Sequence, residues 1–379
     1  MTVRFIHTSD WQIGKVFRFV DEKVMGVLQE ARLAAITRLG ELAREHNAAH
    51  VLVAGDVYDM GALAPRTLNQ PLERMRNFAA VCWHLLPGNH DPHRPGGLWD
   101  QLLRKGLPSN VRVHCVPQPV TMDDGAMIVL PAPLQHRRTL DDPTAYMDSL
   151  ALEDGLPRIG LAHGSVTVFG SNQDKANYIA PDRPERAGLA YLALGDWHGQ
   201  KKISGRCWYS GTPETDAFDV SDGGKALLVE IEAARALPKV TPLATGSYSW
   251  ISLCESMNGR ADIDALQEKL RSLGPHPDRV LVDLEVKGAL SLEDRAYFED
   301  EIGDRLSARF CFLRIDGRWL LPQPTAADLD QIDSRGFVRR AAEELRRRAE
   351  EGAEGERALA GEALQRLYVE HRKLQAGQQ

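Results

Sequence analysis

Cysteine is scarce in this sequence: Cys82, Cys115, Cys207, Cys254 and Cys311 are odd in number, far apart and never paired as CxxC. That spacing offers no disulfide framework, and the five read as buried or idle thiols. Long apolar runs are missing too, since no stretch approaches the roughly 18 uncharged residues of a membrane span. The opening MTVRFIHTSD puts a strand-like segment and a polar turn where a signal peptide has its apolar core. A cytoplasmic location away from any membrane is therefore expected. Net positive charge is absent as well: 46 Lys and Arg face 53 Asp and Glu, for −7 overall. This argues against a chain-wide electrostatic grip on nucleic acid, but leaves room for a local basic groove or for metals placed where a phosphate sits. There is no internal repeat and no low-complexity tract. What remains is an ordinary soluble composition, 43% hydrophobic and 26% charged, over 379 residues, enough for one large domain with smaller additions.

Five apolar, strand-like runs each end in polar residues. VRFIHTSD ends at Asp10, and HVLVAGD ends at Asp56 after a helical stretch from about Val24 to His46. VCWHLLPGNHD follows a second expected helix, Pro65 to Phe78, while RIGLAHG ends at His163 and YLALGDWHG at Asp196 and His198. In an α/β sheet, the C-terminal strand edge is where ligand sites are usually built. Further strands are expected at Val111 to Val116, Met127 to Leu130, Cys207 to Tyr209 and Ala226 to Ile231.

Past Ile231 the pattern changes. EAARALPKVTPL reads as a linker, and YSWISLC, a helix near Ile263 to Leu273, RVLVDLEV and RFCFLRI suggest a small α+β unit ending near Ile315. LLPQPTAAD reads as a second connector. The chain then becomes dense in Arg, Glu, Ala and Leu, in two helix-length pieces separated at EGAEGE, with Phe337, Ala341, Leu345 and then Leu359, Ala363, Leu367 at helical spacing. The expected domains are 1–234, catalytic; 235–322, α+β; and 327–379, a helical pair so charged that it has little core of its own.

The strand ends offer Asp10 and Gln12; Asp56 and Asp59; Asn89, His90 and Asp91; His163; and Asp196 with His198, each set beside a glycine. Any one of these is an ordinary turn. Together, as DWQ, GDVYD, GNHD, HG and GDWH, they resemble the calcineurin-like metallophosphoesterase superfamily over about residues 3 to 232. The resemblance implies a four-layer αββα sandwich with a small α+β capping domain and a C-terminal helical pair. It implies a dinuclear site in which Asp10, residue 12, Asp56 and His198 hold one metal, while Asp56, Asn89, His163 and residue 196 hold the other. His90 would reach over the scissile phosphate, with Asp59 and Asp91 behind the ligands as orienting carboxylates. Phosphodiester hydrolysis suits such residues, because two bridged metals clamp the attacking and leaving oxygens while acidifying water.

Two positions depart from the pattern: Gln12 and Asp196 stand where the superfamily has histidines. Decay of the site is one reading. The favoured one is retuning, because Asp10, Asn89, His90, His163 and His198 are all intact, and oxygen ligands suit manganese or magnesium better than zinc. Gln12 is then a neutral oxygen ligand, or a donor to metal-bound water. His93, Arg94 and Lys201 are candidates for phosphate contact, and Lys202 shares the last one's position. His7 is a weaker candidate, and His84 reads as core.

Within the superfamily, IHTSDWQIGK and the closing YLALGDWHGQ and YSGTPE (Tyr209 to Glu214) look most like SbcD-type DNA-repair exonucleases. That likeness implies a manganese-dependent nuclease acting on DNA ends in double-strand break repair. It further implies a homodimer, with the C-terminal helices bound to an SMC-like ATPase of the SbcC type. Two other functions stay open: a phosphodiesterase or phosphatase on a small nucleotide, and a catalytically weak DNA-end scaffold for the ATPase.

Overall fold

The computed structural model describes residues 2–59, 63–122, 125–150, 155–166, 176–322 and 336–376. The chain divides into two units, Met1–Tyr248 and Ser249–Gln379.

The first unit carries β1 (Val3–Thr8), α1 (Glu22–Glu45), β2 (His50–Val53), α2 (Pro65–Arg76), β3 (Cys82–Leu85), α3 (Leu98–Lys105) and β4 (Val111–Val113). There follow β5 (Val120–Thr121), β6 (Ile128–Ala132), β7 (Arg158–His163), the short α4 (Arg183–Arg186), β8 (Tyr191–Gly195), β9 (Lys201–Lys202), β10 (Cys207–Tyr209), β11 (Lys225–Ile231) and β12 (Lys239–Ala244). Two six-stranded sheets result, in the orders β12-β11-β1-β2-β3-β4 and β5-β6-β7-β8-β10-β9. β1 to β4 are mutually parallel, as are β6, β7, β8 and β10.

Strand alternation decides the layers. Val51, Val53, Trp83 and Leu85 turn outward onto Ile36 and Leu39 of α1 and Leu72 and Met75 of α2. Leu52, Ala54 and Leu86 turn inward to meet Val129, Leu161 and Ala193 of the second sheet. The second sheet's other face, with Leu130, Ala162 and Leu194, is covered by Met147 from a 3-10 turn and by Ala187 and Leu189. This is the expected αββα sandwich, with its fourth layer thin. Local signals agree: Asp21 caps α1 by accepting from the Val24 N–H at 2.8 Å, and proline opens α2, where its missing N–H costs nothing.

Two sequence expectations change. The linker reading fails over Lys239–Ala244, which pairs antiparallel with β11 as the edge strand of the first sheet, in register from Lys225↔Ala244 to Glu230↔Lys239. Its edge position accommodates Pro242 and an exposed face, and so its weak apolar signal hid a strand.

The second unit is a three-stranded parallel sheet of β13 (Ser249–Met257), β14 (Val280–Leu290) and β15 (Phe312–Pro322), in that order. Parallel neighbours need crossovers, supplied by α5 (Arg260–Arg271) and α6 (Leu292–Phe298), the latter running on into a π-helical segment. Ile263, Leu266, Val282, Leu284, Phe298 and Ile302 form its core. The tail forms α7 (Phe337–Glu351) and α8 (Glu354–Ala376); the preceding connector falls largely outside the described residues. Here the second expectation changes. The buried stripe is Ala342, Leu364 and Tyr368 packed on Leu292 of α6, not Phe337 and Leu359, which are 82% and 69% exposed. The pair therefore has a core, shared with α6.

Candidate metal centre

The loops after β1, β2, β3, β7 and β8 converge. Beyond the strand ends the first two stay laddered: Asp10 N–H donates to Gly55 O at 3.1 Å, Gln12 N–H to Asp56 O at 2.8 Å and Ile13 N–H to Val57 O at 3.0 Å. Asp10, Gln12, Asp56 and Asp196 all have left-handed backbones, with φ of 56°, 42°, 55° and 101°. Non-glycine residues in that region carry strain of order 1–3 kcal/mol each and persist where surrounding contacts over-determine them. Two glycines make the close approach possible. A Cβ on Gly88 would lie 2.2 Å from Asp56 Oδ1, and one on Gly55, whose φ is +90°, 2.3 Å from His163 Nδ1.

Into this space point Asp10, Asp56 and His163, all buried, with ligand atoms within 4.8 Å of one another. His163 Nε2 stands 3.5 Å from Asp56 Oδ1 and 3.7 Å from Asp196 Oδ1, and His198 Nε2 stands 3.9 Å from Asp10 Oδ1. Asn89 Nδ2 donates to Asp196 Oδ1 at 2.9 Å, leaving Asn89 Oδ1 buried without a hydrogen-bond partner; His163 Nε2 is buried without one too. Orphaned polar atoms of this kind are rare and call for an explanation such as an ion. A divalent cation supplies it, and the donor set of carboxylates, one amide oxygen and imidazoles fits two.

All three imidazoles are held the same way round. His163 Nδ1 donates to Ala54 O at 2.8 Å, His198 Nδ1 to Asp216 Oδ1 at 3.0 Å, and His90 Nδ1 to Asp59 Oδ1 at 3.0 Å. Carbonyls and carboxylates only accept, so each ring keeps Nδ1–H and turns Nε2 inward. Electrostatics tell the same story. Burial opposes a charge on His163, yet Asp56, Asp10 and Asp196 outweigh it and raise the imidazole to about 9. Burial also pushes the Asp10 carboxyl up, against the pull of His198 and His163. Protons gather where positive charge is wanted.

The model of the family described as calcineurin-like phosphoesterase matches residues 3–229, more than half the chain and all five loops. The chain belongs to the calcineurin-like phosphoesterase family. Membership supports metal-dependent hydrolysis of phosphoesters, with a dinuclear centre. Among solved structures, the chain is similar to the TT1561 protein of Thermus thermophilus, with 16% identity, TM-score 0.41, and coverage of 65% of this chain and all of that one. Among curated proteins, segments are similar to tryptophan synthase beta chains. That of Lactiplantibacillus plantarum is 33% identical over 110 residues, covering 28% of this chain and 27% of that protein. That of Bacillus subtilis is 32% identical over 117 residues, covering 30% and 29%. The chain thus spans less than a third of the length of these relatives, while the phosphoesterase model covers the loops that form the centre.

Other sequence candidates of this phosphoesterase sort by position. Gln12 Oε1 accepts from Lys15 Nζ at 3.1 Å, while its Nε2 faces Asp56 Oδ2 at 3.5 Å and His198 Nε2 at 3.3 Å. An amino group, not an oxygen, is thus turned to the centre. Asp91, expected to orient an imidazole, instead accepts from the backbone N–H groups of Gly88 at 2.7 Å and Tyr58 at 3.0 Å. It ties the second loop to the third, because both its oxygens are engaged by main chain. His93 pairs with Asp100 at the start of α3, at 3.0 Å, and Arg94 is exposed. Lys201 Nζ lies 4.8 Å from the ring centre of the exposed Trp197, and Lys202 lies over Trp208. His7 bonds Tyr191 and Leu194 O, linking β1 to β8, and burial lowers it to about 3.

Sequence reasoning missed the scaffold around His198. Asp216, fully buried, meets His198, Lys15 at 2.5 Å and Arg32 at 3.5 Å. Despite burial, those partners hold its carboxyl far below the usual range. Arg32 also donates to Trp11 O at 2.7 Å and Asp10 O at 2.9 Å, clamping the first loop. Asp216 lies two residues past YSGTPE, and so extending that motif would have reached it. Arg32 lies within α1 and carries no motif signal.

Proposed function

We propose that this phosphoesterase is a DNA nuclease of the SbcD-like kind, hydrolysing phosphodiester bonds with two bound divalent ions, manganese first. The observation that carries the reading is the convergence of Asp10, Asp56, Asn89, His163, Asp196 and His198 on one space beside the His90–Asp59 couple. Asp10, Asp56 and His198 would hold one ion, and Asp56, Asn89, His163 and Asp196 the other, with Asp56 shared. Bound there, the pair would acidify a water and neutralise charge on the phosphate oxygens.

The chain's own residues supply the rest. Asp59 accepts from His90 Nδ1 and fixes the orientation of that ring, whose Nε2 lies 4.0 Å from Asp56 Oδ2. His90 N–H donates to Asp56 Oδ1 at 2.9 Å, fixing both residues at one edge of the centre. A protonated His90 can donate to a phosphoryl oxygen or give its proton to the leaving 3′ or 5′ oxygen. The amide oxygen of Asn89 and the three carboxylates favour hard cations over zinc.

DNA as substrate draws support from Trp197. This ring is 51% exposed between Asp196 and His198, with an ammonium over it, an arrangement suited to stacking on a base while the lysine meets a phosphate. The second unit supplies the matching layout of an α+β domain and charged helices. Phe337 and Leu359, exposed on those helices, suit docking onto an SMC-like ATPase, and the nuclease unit would pair as a homodimer.

The test is cleavage of end-labelled single- and double-stranded DNA by the purified full chain with manganese, magnesium or zinc, beside His90→Ala and a chromogenic phosphodiester. Manganese-dependent DNA cutting lost in His90→Ala supports the reading. Turnover of the small ester with DNA untouched would overturn it in favour of a small-molecule phosphodiesterase.

A further inference from the structure

At the opposite ends of β2 and β3 from the candidate metal centre lies a second cluster of ligating side chains. His50 opens β2, Cys82 opens β3, and His84 follows two residues on; their ligand atoms all lie within 4.8 Å of one another. Strand alternation turns all three to the inter-sheet face, where the neighbouring positions Leu52 and Leu86 are core. His114, just past β4, extends the row. His50 Nδ1 and His84 Nε2 are 3.1 Å apart, and His84 Nδ1 and His114 Nε2 are 3.0 Å apart. Aliphatic side chains would fill such a face without the cost of burying three imidazoles, so the row asks for a reason.

We propose that His50, Cys82 and His84 form a separate metal site for a thiophilic ion of the zinc class. The spacing suits it. Two nitrogens bound to one tetrahedral zinc at about 2.0–2.1 Å stand roughly 3.3 Å apart, and a thiolate joins at about 2.3 Å. The observed 3.1 Å between His50 Nδ1 and His84 Nε2 needs almost no adjustment. His84 would then donate Nδ1–H to His114 Nε2, the outer partner that metal-bound imidazoles characteristically have. Sulfur with two imidazoles selects zinc or copper(I) over the hard ions suited to the other centre.

Access and charge also fit. A cavity of about 170 Å³ opens onto His50, Cys82 and His84, and Arg112, Thr121 and Met122 line it as well. Binding releases the Cys82 thiol proton to solvent, while the proton between His50 and His84 is relocated to His50 Nε2, so that both imidazoles ligate in their neutral form. Zinc and one thiolate leave a single positive charge beside the Arg112 guanidinium, so a fourth ligand arriving through the cavity would be an anion, hydroxide or chloride. The bound ion would staple β2 to β3, the two strands that deliver Asp56 and Asn89 at their other ends. The site does not depend on the nuclease reading.

Cobalt(II) distinguishes the two sites, because only a thiolate ligand gives sulfur-to-cobalt charge-transfer absorption, and the phosphoesterase centre contains no cysteine. The full chain titrated with cobalt should develop that band together with the strong visible bands of four-coordinate cobalt. The band should persist in Asp56→Asn and vanish in Cys82→Ser. Zinc should also protect Cys82 of the unaltered chain from alkylation by iodoacetamide, as mapped by mass spectrometry, a readout that does not depend on the variant folding. Absence of the thiolate band in the unaltered chain, its survival in a folded Cys82→Ser, or equal alkylation with and without zinc would each overturn the proposal.

Discussion

Lys15 decides which end of Gln12 meets the metal centre. Its ammonium donates to Gln12 Oε1 at 3.1 Å, and because an ammonium has no acceptor, the amide oxygen is committed to it. The NH2 group is left facing Asp56 and His198. Of the two roles the sequence suggested for Gln12, oxygen ligand or hydrogen-bond donor, this arrangement favours the donor. Lys15 itself places a positive charge close to a cation site.

Removing that charge should tighten cation binding. Lys15→Met is expected to raise Mn²⁺ affinity on the order of tenfold, the scale of one unit charge acting through a partly buried medium. Gln12→His, which restores a ligating imidazole, should raise it as well. Calorimetric titration of the metal-free protein checks both. Affinities unchanged in both variants would remove Gln12 and Lys15 from the site.

Asp216 sets the His198 tautomer while balancing Lys15 and Arg32. Asp216→Asn keeps the shape but leaves a buried guanidinium without its counter-charge. Breaking such a pair typically costs about 3–5 kcal/mol, and loss of an orienting partner lowers metal affinity or activity about 10–100-fold. Denaturant unfolding and metal titration should both move; a change in stability alone would mean that Asp216 does not orient His198.

How much of this was legible in the sequence follows from what each signal measures. Strand-end motifs marked the residues that converge on the candidate centre, because apolar runs and glycines report loops at a sheet edge. They could not show that Asp91 spends both oxygens on backbone N–H groups, since an acid after GNH reads alike whether it orients a ring or ties a loop. β12 was hidden because an edge strand has only half an apolar face. On α7 and α8 Leu345 and Leu367 of the expected stripe pack on the shared core, whereas Phe337 and Leu359 face outward; adjacent positions on a helix lie about 100° apart, and so a one-residue shift to Ala342 and Ala360 changes which face is most deeply buried. Arg32 was invisible, since its partners are main-chain carbonyls from another segment and a carboxylate far along the chain.

The pH response of the metal-free protein carries a sign. His163 is raised from 6.5 to about 9 in the folded state, so its contribution to stability is full below pH 6.5 and is lost as pH rises through about 9. Asp10, raised by burial, contributes in the same direction. Thermal unfolding in a chelator should therefore show a melting temperature that falls across that window. Mn²⁺ binding displaces the His163 proton, so metal stabilisation should grow over the same range, with proton release detectable in weakly buffered solution. A melting temperature flat from pH 6.5 to 9 in chelator would mean that the carboxylates do not hold that proton.

The helical pair separates stability from partner binding. Tyr368 and Leu364 are buried with Ala342 against Leu292, so Tyr368→Ala should destabilise the second unit by about 3–5 kcal/mol, the usual cost of emptying a large buried aromatic site. Phe337 and Leu359 face solvent, and replacing either with serine should leave stability within about 0.5 kcal/mol, as exposed substitutions commonly do. If the same face docks onto an ATPase, the double variant Phe337→Ser/Leu359→Ser should keep its denaturation midpoint and its nuclease turnover while losing association in a pull-down with an SbcC-type partner. Association retained by the double variant would move the docking surface elsewhere. A large loss of stability in it would show instead that these two residues belong to the core the helices share with α6.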